Sequence, residues 1–250
     1  LSPKKSFVIN LIINTFSTNI IAPSKAVYRY LVEVEKVSPK KLHLINYGYN
    51  FDMYKVDKIG IASEIRQKYQ CKMLILSVCR LISVKRHNLM LEVVESLLKK
   101  GLDVKWICLG TGDLLQHYQR LVKEKGLSDR IYFLGFQKNV ADFMEAADVF
   151  LHLSETEASN SAVKEAGLEK LAVIVCEKVG DFEDYIETGK NGFLVNKENP
   201  VPEAISCLEE LYQNPDKTKT IGENLYRKVL EEFSIEKVKP KYEELLKKVI

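Results

Sequence analysis

Arg80 and Lys85 stand close together after an apolar run, and Glu157 and Glu165 stand eight positions apart later in the chain. Two neighbouring cations suit a diphosphate, the guanidinium as a planar fork and the ammonium as a point charge. Two carboxylates suit sugar hydroxyls, since each can accept from a vicinal pair; one can hold a ribose and the other a hexose. Between the glutamates lie Ala158, Ser159, Asn160, Ser161 and Ala162, small residues leading into a helix expected to start at Ser159 or Asn160. Such a start presents unpaired N–H groups and a positive dipole end to a phosphate. Two further loops, Gly110-Thr111-Gly112 and Gly135-Phe136-Gln137-Lys138, offer backbone for a ligand to approach or a base to rest against. Taken singly, each feature has a plain structural explanation: surface charges, tight turns at glycine, helix-favouring glutamates.

These groups form a site only if the fold gathers them. From Lys72 onward, β-branched runs at Met73–Val78, Val104–Leu109, Ile131–Leu134, Val149–Leu153, Val173–Cys176 and Phe193–Val195 alternate with helical periodicity. That alternation is the mark of repeated βαβ units and a parallel sheet. Met90, Val93, Val94, Leu97 and Leu98 form one apolar helical face, closed by Gly101. Helices are also expected from about Asp113 to Lys125, Val140 to Ala147, Pro202 to Tyr212, Thr218 to Glu232 and Ile235 to Lys248. The expected fold class is α/β, a Rossmann-like parallel sheet flanked by helices. Ligands of such sheets bind beyond the carboxyl ends of the strands, and Arg80, Gly110, Phe136 and Glu157 each follow one.

Before Lys72 the pattern changes to a short strand at Asn19–Ala22, a helix from Ser24 to about Glu35, a strand at Leu42–Asn46 and an irregular stretch from Tyr47 to Lys58. Residues 1–58 are read as the remnant of another domain with its linker, and 59–250 as the ligand-binding domain. The chain opens at Leu1 rather than Met, which fits a fragment.

Together, Arg80 and Lys85, the E-x7-E pair Glu157 and Glu165, Phe133-Leu134-Gly135 and Gly189-Lys190-Asn191-Gly192-Phe193-Leu194-Val195 resemble the C-terminal domain of the family 4 retaining glycosyltransferases of GT-B fold. Ile20 to Val27 is similar to the last strand and helix of that family's acceptor domain, and Ile45 to Asn50 to its interdomain linker. The resemblance implies a nucleotide diphosphate sugar, UDP- or GDP-linked, as donor, and a glycan or lipid-linked acceptor held by the other domain. It assigns Arg80, Lys85 and Glu157 as catalytic, the two cations on the diphosphate and Glu157 on the donor sugar. It places Glu165 on the ribose, Asn160, Ser161 and Ala162 on phosphate, Phe136 and Gln137 beside the base, and Gly110 in the donor loop. It implies transfer of a hexose with retention, in bacterial polysaccharide assembly, without a metal or other cofactor. The sequence departs from the family pattern at Ala158, Lys170, Ala172 and Val179-Gly180-Asp181-Phe182, and at Arg86, where a common glycine is replaced and a tighter phosphate loop is expected.

Composition narrows the field further. The 250 residues carry 37 basic and 34 acidic side chains, net +3, mixed along the chain with no basic block, so nucleic acid is not an expected partner. At 46% hydrophobic and 28% charged the chain can build a proper core. Cys71, Cys79, Cys108, Cys176 and Cys207 form no C-x-x-C pair and are read as reduced core residues. His43, His87, His117 and His152 are scattered, without metal-ligand spacing, and His152 is expected to be a satisfied core or rim residue. The apolar stretch Phe7–Ile13 is far too short to span a bilayer. A cytoplasmic protein is expected, or one peripheral to the inner membrane face through the other half. Two alternatives stay open: a sugar-nucleotide epimerase of similar architecture, and an inactive fragment that binds a nucleotide or a partner. A dehydrogenase is disfavoured because no G-x-G-x-x-G follows the first strand of the large sheet.

Overall fold

The computed structural model describes residues 13–51 and 60–249. The division expected at 58/59 and most of the stretch Phe7–Ile13 lie outside the described residues. The expected elements are present in order. A small parallel pair, β1 (Ile20–Ala22) and β2 (Leu42–Leu44), flanks helix α1 (Lys25–Glu33). Ser24 caps α1, its hydroxyl accepting from the Val27 amide at 3.1 Å. Helix α2 (Ile61–Lys68) then leads into the large sheet.

That sheet holds β3 (Met73–Val78), β4 (Val104–Leu109), β5 (Ile131–Gly135), β6 (Val149–His152), β7 (Ala172–Cys176) and β8 (Phe193–Val195). Its order is β5-β4-β3-β6-β7-β8, with every pairing parallel. Strands covered on both faces must be apolar throughout rather than alternating, and β7, Ala-Val-Ile-Val-Cys, is buried at every position. The one hydroxyl inside β3, Ser77, is satisfied twice: it donates to the Leu151 carbonyl at 2.6 Å and accepts from the Trp106 indole at 2.9 Å.

Helices α3 (His87–Lys99), α4 (Leu115–Glu124), α5 (Val140–Ala146), α6 (Ser161–Leu168), the short α7 (Phe182–Tyr185) and α8 (Pro200–Gln213) fill the crossovers and cover the sheet. Met90, Val93, Val94 and Leu97 bury the inner face of α3. Helix α9 (Pro215–Phe233) lies so close to the α6–β7 turn that a Cβ on Gly222 would sit 1.7 Å from the Lys170 carbonyl oxygen. The last helix, α10 (Ile235–Val249), turns back to the small unit, where Val238 and Leu245 form a second apolar cluster with Ile45. Tyr49 pairs with the α9–α10 junction: its amide donates to the Phe233 carbonyl at 2.8 Å and its carbonyl accepts from the Ile235 amide at 2.9 Å. The two connections between the small and large units therefore run side by side.

Candidate functional site

The loops after β3 and β6 face each other because those strands are neighbours in the sheet. Backbone ties hold the loops together. The Glu155 amide donates to the Val84 carbonyl at 2.8 Å, and the Ser154 hydroxyl donates to the same carbonyl at 3.2 Å. This clamps a 3-10 turn, Ser83–Lys85, against the β6 loop and points Lys85 at Glu157.

Lys85 and Glu157 form a close ion pair with side chains only 12% and 11% exposed. The same Glu157 oxygen accepts from His152 Nε2 at 2.7 Å. Burial raises the carboxyl pKa, but bonds from His152 and Lys85 outweigh it and bring Glu157 down to about 2. Burial pulls the other way on His152, yet hydrogen bonds to Cys79 and Glu157 leave its imidazole pKa raised. Glu157 is thus a half-buried acceptor that is ionised near neutrality, suited to hydroxyl donors and unsuited to taking up a proton there.

Asn160 ends this chain of contacts. Its Nδ2 lies 3.1 Å from His152 Nε2, and its Oδ1 accepts from the Val163 amide at 3.1 Å, making it the cap of α6. One ring nitrogen cannot serve both neighbours, and the carboxylate is the stronger partner for an imidazole with a raised pKa. The cap takes the Val163 amide, while the amides of Ser161 and Ala162 have no carbonyl within the helix to bond. Ser161 is exposed and Ala162 half-buried, so this end of α6 opens outward. Glu165 lies in the second turn of α6, half-buried.

Arg80, directly after β3, is exposed and has no ion-pair partner among the described residues. Lys85, read from sequence as a second cation for the diphosphate, is held by Glu157 through one of its three ammonium hydrogens, leaving two for outside ligands. Gly110 has a φ of +134°, and a Cβ there would lie 2.0 Å from the Cys79 carbonyl oxygen. The neighbouring loop therefore accounts for the absent side chain without a ligand. Phe136 is 69% exposed beyond β5, and Gln137 donates to the Leu134 carbonyl at 3.0 Å, closing the turn.

Several residues with structural purchase on the site are not evident from sequence. His152, expected to be a satisfied core or rim residue, is fully buried and commits Nε2 to Glu157, with Cys79 as the second group bonded to its ring. The available signal was a histidine closing an otherwise apolar strand five residues before Glu157. Arg86 adopts a left-handed backbone at φ 50°, the region where glycine is favoured, which explains why glycine suits this position. Its guanidinium crosses the strand ends, donating to the carbonyls of Leu153 at 2.7 Å and Lys197 at 2.8 Å. Cys79 is more than core filling. Its sulfur lies 3.3 Å from His87 Nε2, and a hydrogen bond with Cys108, then bonds with His152 and His87, pull its thiol well below the usual range despite burial. No group of His, Cys, Asp and Glu among the described residues is arranged to hold a metal ion. No helix among them is long and apolar enough to cross a membrane.

Comparison with known proteins agrees with this architecture. Two curated relatives are a Staphylococcus aureus poly(ribitol-phosphate) alpha-N-acetylglucosaminyltransferase, 23% identical over 81% of this chain and 41% of its own length, and a Bacillus anthracis N-acetyl-alpha-D-glucosaminyl L-malate synthase, 28% identical over 84% and 54%. The chain spans about half the length of these relatives. Anabaena HepE, solved in complex with UDP and glucose, superposes with a TM-score of 0.87 at 22% identity, over 99% of this chain and 67% of HepE. The family described as glycosyl transferases group 1 matches residues 61–228, which take in the whole of the large sheet and its helices as far as most of α9, and the chain belongs to that family.

Proposed function

We propose that this chain is the donor-binding half of a retaining glycosyltransferase that takes a hexose from a UDP- or GDP-linked sugar. The reading is supported by one observation: Glu157, held ionised between Lys85 and His152, lies in the loop that leads into α6, after the strand that neighbours the one Arg80 follows. A nucleoside diphosphate leaving group gathers charge on its phosphate oxygens as the glycosidic bond breaks. Arg80, the remaining Lys85 hydrogens and the amides of Ser161 and Ala162 meet that charge where it grows. Glu157 accepts from hydroxyls of the transferred sugar, Glu165 from the ribose, and Phe136 and Gln137 border the base with Gly110 nearby. The chemistry of these groups suffices for the diphosphate without a metal ion.

A glycan or lipid-linked acceptor and a role in bacterial polysaccharide assembly complete the reading; of the two curated relatives, the name of one carries a polymer, poly(ribitol-phosphate), and that of the other L-malate. Such a transferase works on the cytoplasmic side, with any membrane contact made through the acceptor-binding half. Titration calorimetry with UDP and GDP, with and without EDTA, tests the donor assignment. Saturable binding that EDTA leaves intact and that falls at least about tenfold in Arg80→Ala/Lys85→Ala supports it. Absence of heat with both nucleotides, or equal affinity in the double variant, sinks it.

A further inference from the structure

Lys164 is an ammonium in the core. Its side chain has no exposure, and the Asp181 carboxylate beside it, 2.7 Å from Nζ, has 2%. Nζ also donates to the Ser159 hydroxyl at 3.0 Å and the Asn160 carbonyl at 3.1 Å, and Ser159 donates to Asp181 at 2.7 Å. All three ammonium hydrogens are therefore assigned. Around them stand the rings of Phe233, Tyr185 and Tyr49, with centroids 4.6, 5.2 and 5.9 Å from Nζ. These rings come from α7 and from the two connections that pair at Tyr49 and Ser234.

A buried ion pair is rarely the most stabilising way to fill a core, since desolvation offsets its attraction and apolar residues of like volume often serve stability as well. What such a pair does provide is a fixed geometry, and the geometry fixed here is that of the donor loop. Lys164 grips Ser159 and Asn160, the residues at which the loop turns into α6. Asn160 touches His152, and His152 holds Glu157. A chain of contacts thus runs from Asp181 through Lys164, Asn160 and His152 to Glu157 and Lys85, hydrogen-bonded or ion-paired throughout except where the Asn160 amide packs against the His152 ring.

We propose that Lys164, anchored by Asp181 within the ring box, is a positioning residue that sets the first turn of α6 and, through Asn160 and His152, the orientation of Glu157 toward the donor. The proposal deepens the donor-binding reading and rests on it for its ligand. Apolar replacements in the box can fill the space but cannot hold the Asn160 carbonyl or the Ser159 hydroxyl.

The test compares the parent chain with Lys164→Met, Asp181→Leu and the double variant. Each single change leaves one buried charge unpaired and lowers the melting temperature; the double change removes both and recovers most of it. Two readouts follow on the folded double variant: the nitrogen NMR signals and titration of the His152 ring without ligand, and UDP affinity by calorimetry. The expected result is a displaced His152 titration together with UDP binding weakened at least about tenfold. A double variant that folds, titrates His152 as the parent does and binds UDP equally well overturns the proposal, because the pair is then only core. If the parent itself binds neither UDP nor GDP, the donor reading falls, and the His152 titration alone decides whether Lys164 positions the Glu157 chain. Should the double variant not fold, Ser159→Ala in the parent background, which removes the hydroxyl that Lys164 and Asp181 share and leaves the ion pair intact, carries the same two readouts; both unmoved overturns the proposal.

Discussion

His152 Nε2 lies 2.7 Å from Glu157 Oε1, and the imidazole that makes this contact is fully buried. The carboxylate is thereby supported from inside the protein as well as by Lys85 at the mouth. Its folded pKa is depressed from 4.5 to about 2, so its contribution to stability is present above 4.5 and lost as pH falls toward 2. His152 has a raised folded pKa, so its contribution is present below 6.5 and lost as pH rises through the folded value.

Glu157→Gln is therefore expected to cost up to about 3 kcal/mol where both contributions are present, in the mildly acidic range between those limits. Urea unfolding followed across pH should show the gap between parent and variant narrowing at both ends. A gap of constant size from acid to alkali would show that the ion-pair account is wrong.

Arg80 and Lys85 are both cations at the mouth, yet they should respond differently to truncation. Arg80 is exposed and has no ion-pair partner among the described residues, so Arg80→Ala should change stability by less than about 0.5 kcal/mol while weakening nucleoside diphosphate binding. Lys85→Ala removes a partner of Glu157 and should lower both. Denaturation and calorimetry on the two single variants separate the cases, and a stability loss on Arg80→Ala as large as that on Lys85→Ala would contradict the assignment.

Arg86 combines backbone strain with a wide hydrogen-bonding reach. Arg86→Gly keeps the φ of 50° and removes the guanidinium bonds to Leu153 and Lys197; about 2 kcal/mol of destabilisation is expected. Arg86→Ala loses the same bonds and keeps a strained residue, adding about 1 kcal/mol. Equal stabilities for the two variants would mean that the left-handed conformation is not maintained.

Gly222→Ala should be among the most damaging single-methyl additions in the chain. The new Cβ would fall 1.7 Å from the Lys170 carbonyl oxygen, which is backbone in a turn that itself holds Lys170 at φ 57°. Separation of α9 from the α6–β7 turn is the only relief, with a loss of about 3 kcal/mol or more. A thermal melt of the variant that overlays the parent's would refute so tight a contact.

The six strands of the large sheet were legible because strands covered on both faces are largely apolar, as β7 is at every position, while β5 at the edge of the sheet still alternates between buried and half-buried residues. Boundaries moved by a residue or two, as at β6, which ends at His152 rather than Leu153, and β5, which extends to Gly135. The start of α6 was legible from Ser159-Asn160, since a side chain that caps a helix is written in the local sequence. The role of Gly110 was not, because the atom that excludes a side chain there belongs to Cys79, on another strand's loop.

What the sequence determined by itself is what depends on neighbours along the chain: strand and helix texture, caps, turn glycines, and the order in which the loops of the site arrive. Only the tertiary structure decided which charges meet. Lys85 finds Glu157 72 residues away, the Arg86 guanidinium finds the Lys197 backbone carbonyl 111 residues away, and Lys164 finds Asp181 across a strand and a turn. Those pairings follow from strand order and parallel register, which place β6 beside β3 and β7 beside β6, and side-chain electrostatics can act only after backbone packing has brought the groups within a few ångströms.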